Sequence, residues 1–362
     1  MNMSIKTIGQ DAYFAASNST KGFISYYEEI FRASRIGHIW AVKGGPGTGK
    51  SRFLHDVSES AIANGWRCEY IYCSSDPDSL DAIILTKEGR AGVALLDATA
   101  PHLFEPICPG AWEDIVNLGQ FWNSDALAAR RAEIEQLNRE KGAAYRRAYR
   151  YLSGFGDMRA NRDSLVAPYI NRAKIAALAQ KLLKDLPGGD AYSAEPALVH
   201  SVGMRGEVGL DTYFYQAKEI YIVADCHGAA QYLMMEIGKL AVEKHLSVRI
   251  SHDPVEAEKI DGLFFCESGL AFVVCPEEEC DYPHHRISMR RFVDTASMMR
   301  VRGELRAIDR ISRALRAEAL DALERVRGVH FRLEDIYSSA MDFAAKEAFT
   351  KDFCQKLFAK KA

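Results

Sequence analysis

Gly44-Gly45-Pro46-Gly47-Thr48-Gly49-Lys50-Ser51 satisfies the whole G-x-x-x-x-G-K-[ST] pattern of a phosphate-binding loop, and its flanks supply the context that pattern needs. Ahead of it, His38-Ile39-Trp40-Ala41-Val42 is an apolar run bounded by glycines, as expected of a buried parallel strand. Behind it, Phe53, Leu54, Val57, Ala61 and Ile62 recur at helical spacing until Asn64-Gly65 ends the helix. Glycines let successive N–H groups turn inward around phosphates, and the following helix points its positive end at the same place. The pattern therefore assigns Gly44, Gly45, Pro46, Gly47, Thr48 and Gly49 to the cradle, Lys50 to the β and γ phosphates, and the Ser51 hydroxyl to Mg²⁺. The expected ligand is ATP with Mg²⁺, because no N-K-x-D element that reads guanine occurs in the chain.

Outward from the loop, residues 11 to 122 alternate strand and helix patterns, which implies a parallel-rich sheet with helices on both faces. Ala82 to Leu85 and Gly92 to Leu96 read as two strands of a hairpin. The second leads through Val93-Ala94-Leu95-Leu96 into Asp97, a Walker B form that places a carboxylate at a strand end to hold Mg²⁺. A long helical arm follows from Ser124, with Leu127, Ile134, Leu137, Tyr145, Ala148 and Leu152 near a seven-residue repeat.

The second half is a drifted copy of the first. Lys21-Gly22 pairs with Arg205-Gly206, 184 residues on, Val42 with Val223 at 181, Asp76-Pro77 with Asp253-Pro254 at 177, and Phe121 with Phe292 at 171. A second arm carries Val301, Leu305, Ile308, Leu315, Ala319 and Val326. The fold class expected is thus α/β, with two tandem P-loop NTPase-like domains. Residues 1–190 form the active domain with its arm at about 124–185, and residues 191–362 a degenerate repeat with its arm at about 290–362. The copy lacks the chemistry: aligning Gly228 with Gly49 puts Ala229 and Ala230 at the lysine and serine positions, and Asp225 where it would repel phosphate. The matching strand runs through Val273-Val274-Cys275-Pro276 with no acid for Asp97.

Length and composition agree with two ordinary cores, at 362 residues and 48% apolar, and a net charge of −3 gives no clear nucleic-acid footprint. Eight cysteines without a C-x-x-C pair point to buried thiols in a reducing compartment rather than to zinc. No signal sequence or bilayer-length apolar run is visible, so no membrane is expected and the location expected is cytoplasmic.

Several stretches resemble a family of uncharacterised bacterial ATP-binding proteins with tandem P-loop halves. They are Lys43 to Ser51, Ser74-Ser75-Asp76-Pro77-Asp78-Ser79-Leu80-Asp81, Asp97-Ala98-Thr99-Ala100-Pro101-His102, Ala148-Tyr149-Arg150-Tyr151-Leu152 and Ala340-Met341-Asp342-Phe343. The resemblance implies an ATPase or nucleotide kinase. This chain departs from it at Ala98, where glycine is expected, and in the degenerate second loop.

For hydrolysis a polar group must position the attacking water, and Glu105, Glu113 and Asp76 are candidates, with Thr99 and His102 placed to sense the γ-phosphate. Arg291, with Arg290 and Arg300 beside it, is the candidate catalytic arginine presented by one half to the phosphates of the other, alongside Lys50 and Asp97. The reaction expected is Mg-dependent ATP hydrolysis coupled to movement between the halves. The alternatives are a kinase acting on a nucleotide or small metabolite, and a non-catalytic ATP sensor; a protein or metabolite partner is left unidentified.

Overall fold

The computed structural model describes residues 4–6, 11–101, 104–275 and 284–359. The first sheet holds strands β1 (Ala12–Phe14), β2 (Ile36–Lys43), β3 (Arg67–Tyr72), β4 (Leu80–Lys87), β5 (Arg90–Asp97) and β6 (Glu113–Asn117), in the order β1-β3-β4-β5-β2-β6. The second holds β7 (Ser193–Pro196), β8 (Glu219–Ala224), β9 (Ser247–His252), β10 (Ile260–Phe265), β11 (Leu270–Cys275) and β12 (His285–Ser288), in the order β7-β9-β10-β11-β8-β12. Position by position the two orders match, and so do the pairings: in each sheet one strand, β4 or β10, runs against the rest. That strand is one arm of the expected hairpin, turned at Gly89 and Gly269 with φ of 72° and 71°.

The backbone corrects one landmark of the duplication. Cys73 N–H donates to Ser79 O and Ser79 N–H to Asp76 O, while Asp253 N–H donates to Lys259 O and Lys259 N–H to Glu256 O. These loops coincide at an offset of 180, so Asp76 matches Glu256 rather than Asp253.

Strand residues alternate between two cores, as the two-residue period requires. Ile39, Ala41, Ala82, Ile84, Ala94 and Leu96 face inward and share one buried cluster with Ile220, Ile222, Phe264, Ala271 and Val273 of the second sheet. The short helices Tyr27–Phe31 and Thr212–Gln216 add Phe31 and Tyr213 to that cluster. The longer helices cover the outer face of each sheet, and on the inner face only these short ones lie between the sheets. Outward, Val42, Ile83, Leu85 and Leu95 pack with Phe53, Leu54 and Val57 of the helix Lys50–Ala63.

Each sheet is followed by a long arm, Arg131–Val166 and Arg302–Ser339, and the arms run antiparallel against each other. Leu137 packs with Leu333 and Ile336 at one end, and Ala148 and Leu152 with Ala319 and Leu323 further along. Beyond the arms the two halves exchange helices. Arg172–Leu182, which follows the first arm, buries Ile175 and Ala179 in the core of the second sheet. Phe343–Phe358, which follows the second arm, buries Phe353 and Cys354 in the core of the first. The crossings are equivalent bond for bond at an offset of 171: Asp342 N–H to Phe121 O matches Asn171 N–H to Phe292 O, and Asn123 N–H to Ala340 O matches Asp294 N–H to Tyr169 O. A division of the chain near residue 190 separates the two sheets but leaves each without its last covering helix.

Two smaller expectations meet the structure differently. Cys108 and Cys266 are exposed rather than buried, while Cys275 and Cys354 are buried. Among the described residues no helix is long and apolar enough to cross a membrane.

Candidate functional site

β2 ends at Lys43 and the loop turns into its helix at Gly49, which caps it in the left-handed region at φ 78°. The Lys50 ammonium donates to the carbonyls of Gly44 (3.0 Å) and Gly45 (2.8 Å) and lies 3.5 Å from the Asp97 carboxylate. Thr99 ties the two strand ends together, its hydroxyl donating to Gly44 O (2.9 Å) and its N–H to Asp97 (2.8 Å). The Thr48 hydroxyl closes the turn on Gly45 O. The Ser51 hydroxyl accepts from Leu80 N–H at 3.0 Å, which places β4 and the buried Asp81 beside the loop helix. Burial raises the Asp97 carboxyl above the usual carboxylate range and Asp81 pushes it further, while Lys50 opposes both. Lys50 and Asp97 are thus brought together, with Ser51 next in the chain and held by β4, and Ser51 and Asp97 carry hard oxygens of the kind Mg²⁺ takes alongside phosphate and water.

The second arm lies on this loop. A β-carbon placed on Gly47 would fall 2.4 Å from the carbonyl oxygen of Glu334, and one on Gly45 2.8 Å from the ring of Tyr337. Glycine is needed here for the arm's approach as well as for turning the backbone. Glu334 is bridged by His330 at 3.4 Å, and the Lys141 ammonium from the first arm stands 3.3 Å from the other nitrogen of that ring. The His330 contact lowers the Glu334 carboxyl against the effect of burial, and Lys50 and Lys141 lower it further. Burial in turn lowers the Lys141 ammonium, with Cys73 and Glu334 opposing.

The sequence reading missed Lys141, His330, Glu334 and Tyr337. Their one signal was the duplication, since Glu334 lies 171 residues beyond Asp163, and Asp163 also meets the second loop, though through its side chain and at the equivalent of Gly49: a β-carbon on Gly228 would fall 2.5 Å from its carboxylate.

Arg291 is not at the loop. It is exposed, lies over its neighbour Phe292 at 4.8 Å, and lines a groove of the second half with Asn171, Lys174 and Arg300. Arg300 precedes the second arm, and from Arg302 the helix must climb about 48 Å before Glu334 meets the loop. The length of the arm thus keeps Arg300 far from the loop, and Arg290 and Arg291 line grooves of the second half rather than the loop. The proposed water-positioning acids are also engaged elsewhere. Glu113 is fully buried, pairs with Arg32 and accepts from Ile107 and Cys108 N–H. Glu105 pairs with Lys43, and Asp76 with Arg205. His102 lies outside the described residues.

The degenerate loop carries its own anion. Gly228 caps the helix Ala229–Glu243 at φ 84°, and the Asp225 carboxylate accepts from Gly228 N–H (2.9 Å) and Ala230 N–H (2.8 Å). Those amides are the equivalents of Gly49 and Ser51. Asp225 occupies the place a phosphate would take at such a helix end, so its effect is to fill the seat rather than merely to repel a ligand.

Comparisons with protein-family models, with curated proteins and with solved structures each return no match.

Proposed function

We propose that the first half is a P-loop NTPase domain that binds ATP with Mg²⁺ at Gly44 to Ser51, and that turnover of the nucleotide moves the paired arms. The observation that carries this reading is the seat of the second arm on the loop, with the Glu334 carbonyl against Gly47 and the Tyr337 ring against Gly45. Any shift of the loop on gaining or losing a phosphate is felt directly by an arm that also contacts the other half. Lys50 would neutralise phosphate charge, and Ser51 and Asp97 would hold the Mg²⁺, whose charge screens the phosphates from an attacking oxygen. Glu334, whose carboxyl is lowered by the His330 contact and by Lys50, is the acid assigned here to orient water.

The second reading, an ATP sensor without turnover, is favoured by the engagement of Glu105, Glu113 and Asp76 in ion pairs. Phosphate release from Mg-ATP, measured with and without small phosphate acceptors, distinguishes these readings from each other and from a kinase. Calorimetry is expected to show Lys50→Ala losing about 1.5 to 3 kcal/mol of ATP binding, the range for a charge-assisted hydrogen bond. Equal affinity in the variant and the natural chain would end the reading.

A further inference from the structure

Lys346 is only 2% exposed, yet among the described residues its ammonium makes no hydrogen bond. Its nearest carboxylate oxygen, on Asp56, is 3.8 Å away, beyond hydrogen-bond range, and Asp56 already pairs with Arg52 at 2.8 Å. Its ion pair with Asp56 is thus a long one, and a buried ammonium held so loosely is costly. This one lies beside the start of the loop helix: a β-carbon on Gly49 would stand 3.8 Å from its nitrogen. The first turn of a helix is its positive end, so a cation there, next to Arg52, is electrostatically uphill, and an anion at the loop reverses the sign.

The duplication supplies an independent comparison. At the offset of 171 that relates the exchanged helices, Lys346 corresponds to Ile175, which is fully buried in the second half. The half whose loop holds its own carboxylate thus has Ala229, Ala230 and Ile175 where the half with a complete loop has Lys50, Ser51 and Lys346. The three polar groups are replaced together by apolar ones.

We propose that Lys346 is a second phosphate-binding lysine of the loop, delivered to the first half by the exchanged helix Phe343–Phe358. The nucleotide site is then built from residues about 300 apart, and the first half alone is incomplete. This rests on the reading that the loop binds ATP, and the test separates the two. In the full-length chain, Lys346→Met keeps the packing and removes the charge. Its affinity for Mg-ATP and for Mg-tripolyphosphate is expected to fall about tenfold or more. Its melting temperature without ligand is expected to hold or rise, because a strained charge has been removed. Should that variant not fold, Lys346→Gln gives the same readout. Unchanged affinity in a variant of Lys346, while Lys50→Ala weakens binding, overturns the role of Lys346 alone. A natural chain that binds neither probe overturns both readings, since Lys346 then has no anion to serve.

Discussion

Asp97 holds its carboxylate in a place that penalises the charge. Its carboxyl sits above the 3.8 of a free aspartate chiefly through burial, so the folded chain holds that proton more tightly than the unfolded one. The resulting stability is fully present below the unfolded value and is lost as pH rises through the folded one. Asp97→Asn should therefore melt higher than the natural chain near pH 7, with the gap closing as pH falls towards about 4. Its affinity for Mg-ATP should fall at the same time. Parallel melting curves across that range would show that the ionised carboxylate carries no penalty. At this scale the loop was legible because Gly44 to Ser51 and Asp97 declare themselves through local pattern. Glu334 and Lys346 were not, because the second arm and the helix after it bring them to the loop, and the periodicity of a helix says nothing of what lies against it.

Among the elements, the degenerate loop makes the sharpest case. Asp225 pairs with two amides at the start of Ala229–Glu243, a cap of the kind whose loss costs about 1 to 2 kcal/mol. Asp225→Ala should lower stability to denaturant by that amount while leaving ATP affinity unchanged; an altered affinity would mean that the two loops communicate. The strands and the hairpin could be read in advance because apolar runs and the turns at Gly89 and Gly269 mark them. The pairing of Asp76 with Asp253 failed for a physical reason. A shared Asp-Pro is conspicuous in sequence, but register is set by the backbone bonds of Cys73 to Ser79 and Asp253 to Lys259.

At the scale of the molecule, the exchange of helices was invisible beforehand, since an amphipathic helix reveals that it covers something but not which sheet. Phe353 lies 5.0 Å from Trp40 and 5.2 Å from Phe53, so the first core is closed by residues from the far end of the chain. Residues 1–190 expressed alone should expose this core, bind a hydrophobic dye and aggregate, and co-expression with residues 191–362 should restore a soluble pair. A soluble, monomeric 1–190 fragment with a sharp melting transition would contradict this. The same closure sets a timetable at the ribosome. Strand β6 ends at Asn117, but the helix that completes its sheet ends at Phe358, and at ordinary rates of synthesis the interval is about ten to fifty seconds. For that time the nascent first half carries an open apolar face, covered only once Phe343–Phe358 has been made.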